Sequence, residues 1–165
     1  MPSPENICLA PFYQIAKLQL SHFETDPNSK VYAACQFQLN SLTVLYRKAK
    51  ITPKKIGQFV SFWQRQAQGT TAPFSSQHPL SFYLVYVEKD SHKGLFVFPK
   101  AILIEKNILS TNQQTGKRGF RIYPSWDQPI NTTAKNSQNW QLQYFYALDS
   151  PLFPQLLQKL FPKRT

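Results

Sequence analysis

The sequence predicts a mixed α/β fold in a single domain spanning residues 1–165, with a central mixed sheet of about five strands flanked by helices. The chain has 165 residues, of which 42% are hydrophobic and 15% aromatic, enough to bury one core. Segments that alternate like strands occupy the middle of the chain, and helical periodicity lies toward both ends. No repeat and no low-complexity linker divides the chain.

The first half of the chain predicts one helix followed by strands. Apolar residues at helical intervals favour a helix over Pro11–Leu20, and a turn cluster follows from Asp26. The segments VYAACQFQLN and LTVLYRKAK predict a hairpin that turns at Asn40 and Ser41. ITPKK predicts a turn leading into a strand over GQFVSFWQRQ, and the Gly, Ser, Thr and Pro content of 67–79 predicts a loop.

The second half predicts a further hairpin and two helices. SFYLVYVE and LFVFP are rich in aromatic and branched residues and are joined by the turn DSHKG. KAILIEKNIL has helical spacing, and GFRIYP has the character of a short strand. The last third predicts a helix running into a strand and then a closing helix, with 140–148 compatible with either period.

A long acid-free stretch indicates the class of partner. Residues 27–87 contain no Asp or Glu but carry several Lys and Arg residues, and the whole chain has a formal charge of +11. A one-signed surface interleaved with aromatic residues is typical of binding to a phosphate backbone. The candidate residues of this first basic block are Lys48, Lys50, Lys54, Lys55 and Arg65. Because side chains alternate along a strand, Arg47 and Lys48 are expected on opposite sides.

A second basic block lies at GKRGFR. Lys117 and Arg118 stand between its two glycines, and Arg121 follows the second glycine. Glycines allow close backbone approach to a phosphate, and arginine can grip one through two hydrogen bonds. The competing interpretations are a solvated face for the first block and a mobile loop for the second. The two blocks would act together only if the fold brings them into one surface.

The remaining chemistry-bearing residues point to structure rather than catalysis. Cys8 and Cys35 form no CxxC pair, and His22, His78 and His92 lack metal-ligand spacing and are expected at the surface. We therefore expect no metal, no cofactor and a reducing, cytoplasmic location without an integral membrane segment. Trp63 and Trp140 are expected in the core because each lies in an apolar segment, whereas Trp126 is a candidate for stacking on a base.

Four blocks of the sequence resemble the MepB-like family of small bacterial proteins. They are RKAKITPKKIGQFVSFW, GLFVFPKAILIEKNILS, GKRGFRIYPSWD and TAKNSQNWQLQYF, in this order along the chain. The resemblance implies a fold related to restriction endonucleases but no particular reaction. Nucleases of that type place an acid two residues before a lysine, whereas this chain has Phe98 before Lys100, and Ser81 where family members often carry an acid.

These observations favour non-catalytic binding of DNA or RNA through the two basic blocks, with Lys100 and Trp126 as further candidates. One alternative is a divalent-metal-dependent nuclease whose acids come from unusual positions. Another is an adaptor for an acidic protein or an anionic membrane surface, although no basic amphipathic helix supports it.

Overall fold

The computed structural model of the protein describes Ile7 and residues 16–163. In chain order the strands are β1 (Leu20–Thr25), β2 (Cys35–Leu39), β3 (Leu42–Lys48), β4 (Lys50–Ile51), β5 (Gln58–Ser61), β6 (Trp63–Arg65), β7 (Thr71–Pro73), β8 (Phe82–Lys89), β9 (His92–Pro99), β10 (Gly119–Ile122) and β11 (Phe145–Ala147). The helices are α1 (Lys100–Glu105), α2 (Thr132–Gln141) and α3 (Phe153–Leu160), and 3₁₀ segments cover Pro27–Tyr32 and Leu142–Tyr144.

A mixed six-stranded sheet in the order β1-β2-β3-β8-β9-β11 forms the centre of the molecule. Its neighbours are antiparallel except for β3 and β8, which run parallel. The mixed α/β class is therefore confirmed, with six strands in the central sheet where about five were expected. Two smaller sheets, β10-β5-β4 and β6-β7, complete the strand arrangement.

The two hairpins predicted from the sequence are present. β2 and β3 turn at Asn40 and Ser41, whose φ angles of 48° and 72° both fall in the left-handed region. A two-residue hairpin of this kind needs positive φ at both central positions, and Asn adopts it readily. β8 and β9 turn after Asp90, which also has a positive φ of 56°.

The central sheet is covered on both faces. On one face, Val60 and Phe62 from the small-sheet region pack on Tyr83, with the Phe62 and Tyr83 rings stacked at 4.1 Å between centroids. On the other face, Phe153 and Leu157 of α3 join a second buried cluster. The small β10-β5-β4 sheet is therefore held against the central sheet by its inner, apolar residues.

Some predicted boundaries need correction. The segment GQFVSFWQRQ is two strands, β5 and β6, because the chain changes its pairing partner at Phe62, with β5 beside β10 and β6 beside β7. The predicted loop 67–79 contains strand β7. The predicted Pro11–Leu20 helix lies largely outside the described residues, and its last residue, Leu20, begins β1.

The predicted order of elements in the last third is confirmed. Helix α2 is followed by strand β11 and then by α3, and the ambiguous 140–148 segment divides between the end of the helix, a 3₁₀ turn and the strand. The side chain of Asn131 caps α2 by accepting from the backbone N–H of Ala134 at 2.8 Å. In the part of the chain that the structure describes, no helix has the length and apolar character needed to cross a bilayer.

Candidate functional site

The β10-β5-β4 sheet brings residues of the two basic blocks onto one face. Lys50 of β4 and Arg121 of β10 are both register partners of Phe59 on β5, the central strand of this sheet. Directly opposed residues project from the same face of a sheet, and neighbouring strands lie about 4.8 Å apart. Val60 and Phe120 are buried on the opposite face. Lys50 and Arg121 therefore flank Phe59 on the outer face, two strand spacings apart.

Arg121 also ties this sheet to the loop that carries the first basic block. Its Nη2 donates to Thr52 Oγ1 at 2.7 Å, to the Ile56 carbonyl at 3.0 Å and to the Gly57 carbonyl at 3.2 Å. The loop between β4 and β5 presents Lys54 and Lys55, both exposed. One arginine of the second block thus determines where the lysines of the first block lie.

Gly57 allows the same loop to lie close to the end of β10. Its φ is +87°, and a Cβ at this position would meet the Tyr123 ring at 2.7 Å and the Ile122 carbonyl oxygen at 2.9 Å. Any larger residue would be strained in its backbone and would push the loop away. Gly57 is therefore required by the packing of the loop.

Arg65 and Arg118 extend the positive charge over the β6-β7 hairpin. Arg118 donates through Nη2 to the Thr71 carbonyl at 3.1 Å and through Nε to Thr71 Oγ1 at 3.3 Å. Arg65 donates to the Gly69 carbonyl at 2.6 Å, and its guanidinium lies 5.6 Å from the ring centroid of Trp63. Trp63 is therefore half-buried at the surface beside an arginine, not in the core as expected.

We term six residues of these strands and loops the basic surface, namely the exposed Lys50, Lys54, Lys55, Arg65 and Arg118 and the half-buried Arg121. The two ion pairs recorded among the described residues, Arg47–Asp26 and Lys48–Glu88, involve none of these six residues. Their charges are consequently open to an external anion. Lys117 is also exposed, next to Arg118.

A groove of about 590 Å³ borders this surface, between the Ile51–Gln58 loop and residues 126–128. Lys54, Lys55 and Lys89 line it together with Trp126 and Asp127. Burial raises the pKa of the Asp127 carboxyl above its usual 3.8, against the opposing effects of Lys89 and Arg121. A carboxylate in this groove lowers its positive potential, so the groove is less favourable to an anion than the exposed lysines beside it.

Trp126 packs against the core at the end of this groove. Its ring is stacked on His92 with centroids 5.2 Å apart, and it meets the edge of Phe145. The indole Nε1 is buried without a hydrogen-bond partner among the described residues. Both of its ring contacts are internal, which favours a packing role over the base stacking considered from the sequence.

Lys48 is separated from the basic surface. It follows the buried Arg47 on β3, so strand alternation directs it to the opposite face of the central sheet, as the sequence predicted for one of the two. There its ammonium pairs with Glu88 Oε1 at 2.7 Å. The idea that the first block has no acidic partner is therefore wrong for Lys48, because β8 supplies an acid from a distant part of the chain.

Lys100 begins α1 beside His78 and Ser81. Its Nζ donates to the His78 carbonyl at 2.5 Å and its backbone N–H to the Ser81 carbonyl at 3.0 Å. Within residues 16–163, no carboxylate contacts Lys100, and no group of three His, Cys, Asp or Glu side chains could hold a metal ion. Lys100 is thus placed to support the backbone at the end of β9.

His78 is partly buried, not at the surface as expected. Its Nδ1 accepts from the Leu80 backbone N–H at 3.0 Å, and its ring packs edge-on against Phe74. Burial and then the nearby charge of Lys100 lower the pKa of His78 below its usual 6.5. Both effects favour the neutral imidazole.

Arg47 is the residue that sequence reasoning missed. It is only 3% exposed, yet it donates to Ser61 Oγ at 2.8 Å and to the Trp63 carbonyl at 3.0 Å, and Nη2 lies 3.5 Å from an Asp26 oxygen. It thereby joins β3 to the β5 and β6 strands that carry the basic surface. The available signal was its alternation with Leu45, which places Arg47 on a buried face.

Comparisons with known proteins found a matching sequence family and similar solved structures. The sequence profile of the MepB-like family matches residues 26–147. The crystal structure of MepB superposes with a TM-score of 0.79 and 29% sequence identity, covering 91% of this chain and 99% of that one. A bacterial homing endonuclease, I-Ssp6803I, superposes with a TM-score of 0.42 and 14% identity, covering 88% and 86% of the two chains. No curated protein matches the chain.

Proposed function

The chain belongs to the MepB-like family, and we propose that this member binds nucleic acid, without cleaving it, by holding the phosphate backbone against the basic surface. The observation that carries the proposal is the arrangement of Lys50 and Arg121 on either side of Phe59. It makes two basic blocks that are far apart in sequence into one surface. A phosphate backbone is the common biological ligand whose repeated charges suit such a surface.

Among the described residues, no carboxylate forms an ion pair with any of the six side chains of the basic surface, and this supports the proposal. An ordinary solvated face carries mixed charges that pair with each other, and each such pair contributes little. Here the arginines of the basic surface donate to backbone carbonyls and uncharged side chains, as Arg118 does to Thr71, which orients the guanidinium without neutralising it. An external anion that binds this surface would therefore gain favourable electrostatic energy from charges that no ion pair within the protein already uses.

The proposed contacts are directed to phosphates, so we expect little preference for base sequence. Lysine and arginine contacts to phosphates fix position on the strand but do not read the bases. If the six residues of the basic surface each neutralise one phosphate, the logarithm of affinity should fall against the logarithm of salt concentration with a slope of roughly −4 to −5.

The decisive experiment is a salt titration of binding to mixed-sequence DNA and RNA by fluorescence anisotropy. Lys54→Glu with Lys55→Glu should weaken binding at least roughly tenfold and make the slope shallower by about two. The matched control is Lys159→Glu, an exposed lysine on α3, which packs on the other side of the central sheet. Equal losses in the variant and the control, a flat salt response or no binding at low salt would each refute the proposal.

The same samples test the nuclease alternative. Lys100 has no carboxylate partner in the described part of the chain, so we expect no strand cleavage when Mg²⁺ or Mn²⁺ is added. Metal-dependent nicking that disappears in Lys100→Ala would overturn this expectation.

A further inference from the structure

A second surface, next to the basic surface, surrounds Trp140 near the end of α2. Two cavities meet there, of about 430 and 240 Å³, and both are lined by Lys106, Ser137 and Trp140. Neither cavity has an acidic residue in its lining. Together they have the size of small-ligand sites.

Packing against the core fixes the position of Trp140. Its ring packs on Phe98 of the core with centroids 5.5 Å apart, so the core expectation for this residue is right for one side of the ring. The Nζ of Lys106 lies over the ring, 5.6 Å from its centroid. A tryptophan that is fixed by the core and reached by surface cavities can serve as a stacking platform for a base, which would take the place of the flexible Lys106 side chain on the ring and leave its ammonium for a phosphate.

The polar residues around the ring are unusual for an exposed helix. Residues 128–148 contain no Asp or Glu, and Lys135 is the one charged residue of α2. The larger cavity is lined instead by uncharged hydrogen-bonding side chains, namely Thr133, Asn136, Ser137, Asn139 and Gln143. Amides and hydroxyls both donate and accept, which suits the edges of bases and repels no phosphate.

The smaller cavity connects this platform to the basic surface. Lys117 and Arg121 line it with Lys106 and Trp140, and Arg121 is also the residue that binds the lysine-bearing loop. A strand whose backbone crosses Arg121 would therefore have a phosphate near Lys106 and Lys117, and its next base within reach of Trp140. The cations would contact the phosphates of a strand while Trp140 stacks on the base beside them, which is how single strands are commonly bound.

We propose that the Trp140 surface binds an unpaired base of a nucleic-acid strand, so that the protein prefers single-stranded over double-stranded nucleic acid. This inference rests on the proposed function and adds the class of nucleic acid that the protein binds. In a duplex the bases are already stacked and paired, and only their edges are accessible in the grooves. A duplex can therefore contact the lysines but cannot stack on Trp140, whereas a single strand can do both.

The first test changes the ligand and leaves the protein intact. Wild-type protein is titrated with a labelled single strand, with the same strand carrying abasic sites, and with the duplex. Loss of the bases should weaken single-strand binding roughly 5- to 150-fold, the value of stacking one base. The abasic strand should then bind about as the duplex does. Equal binding of the intact and abasic strands would overturn the inference.

The second test is Trp140→Leu, which retains an apolar contact with Phe98. It should reduce affinity for the single strand over the same range and leave duplex affinity unchanged. Equal weakening of both ligands would show a general structural effect and refute the stacking role. If binding depends on salt but not on the bases, this inference is refuted and the proposed function is still supported. If no ligand binds at low salt, both are refuted.

Discussion

Lys50 and Arg121 lie on the same face of the β10-β5-β4 sheet, each opposite Phe59. They come from segments of the sequence that are separated by strands β5 to β9, and nothing in either segment alone shows that they meet. Their positions imply that a strand lying on this face contacts both basic blocks at once. Variants in the two blocks should consequently influence each other through the bound ligand.

The first prediction concerns this coupling. Lys54→Glu with Lys55→Glu should weaken binding strongly, and adding Arg118→Glu should weaken it further by less than the separate effects summed, because contacts to one bound segment couple. Charges beyond a Debye length, about 8 Å at physiological salt, interact weakly except through a shared ligand. The three variants and the wild type are compared by anisotropy at one salt concentration, with circular dichroism as the check of folding. Strict additivity would show two independent patches.

The second prediction separates the charge of Arg121 from its hydrogen bonds. Arg121→Gln removes the donors to Thr52, Ile56 and Gly57, and we expect a loss of about 1–3 kcal/mol in the free energy of unfolding. Arg121→Lys keeps the charge but lacks the planar group with several donors. It should therefore be nearly as destabilised as Arg121→Gln in urea denaturation. A lysine variant as stable as the wild type would mean that Arg121 acts by charge alone.

The elements that could be predicted from sequence are the ones whose signals are local. The β8-β9 hairpin follows from the aromatic and branched residues on both sides of the turn DSHKG, and the β2-β3 hairpin from Asn40 and Ser41, whose backbone preferences determine the turn. By contrast, β3 and β8 pair in parallel across a long connection that contains strands β4 to β7. Periodicity shows that a strand has a buried face, but not which strand lies beside it.

The same limit explains why several contacts of the candidate site could not be predicted from the sequence. The composition singled out the basic residues as a group, because an acid-free stretch is visible in the sequence, and their role in binding stays a prediction. It could not show that Lys48 pairs with Glu88 from β8, or that Arg121 reaches Thr52, since both contacts join distant segments. The burial of Arg47 was not predicted, because it depends on hydrogen bonds to Ser61 and Trp63 that only the fold brings together.

The third prediction concerns pH and the Lys48–Glu88 pair. The hydrogen bond from Lys48, and next that from the Tyr86 hydroxyl, lower the pKa of Glu88 below its usual 4.5. A depressed pKa in the folded state adds stability that is complete above the unfolded value and is lost as the pH falls through the folded value. Glu88→Gln should therefore cost about 0.2–1 kcal/mol at neutral pH, a small value because both side chains are about 40% exposed.

The check is urea denaturation of wild type and Glu88→Gln over a series of pH values descending from neutrality. The difference between them should shrink below pH 4.5 and vanish once the Glu88 carboxyl is protonated in both states. Lys48→Gln should show the same pH dependence and bind nucleic acid as the wild type does, because Lys48 lies away from the basic surface. A constant difference at all pH values would contradict the ion-pair explanation.

The last prediction concerns the buried Arg47. Arg47→Met should lower the free energy of unfolding by about 3 kcal/mol, at the low end for breaking a buried charge pair because the Asp26 side chain keeps 31% of its exposure. The hydrogen bonds to Ser61 and Trp63, at 2.8 and 3.0 Å, are shorter than the 3.5 Å contact with Asp26. We therefore expect Asp26→Asn to cost much less than Arg47→Met, and the double variant to recover little. Urea denaturation followed by tryptophan fluorescence measures all three, and full recovery in the double variant would instead assign the role of Arg47 to its charge. Because Ser61 and Trp63 belong to β5 and β6, loosening this contact should also weaken nucleic-acid binding without changing any residue of the basic surface.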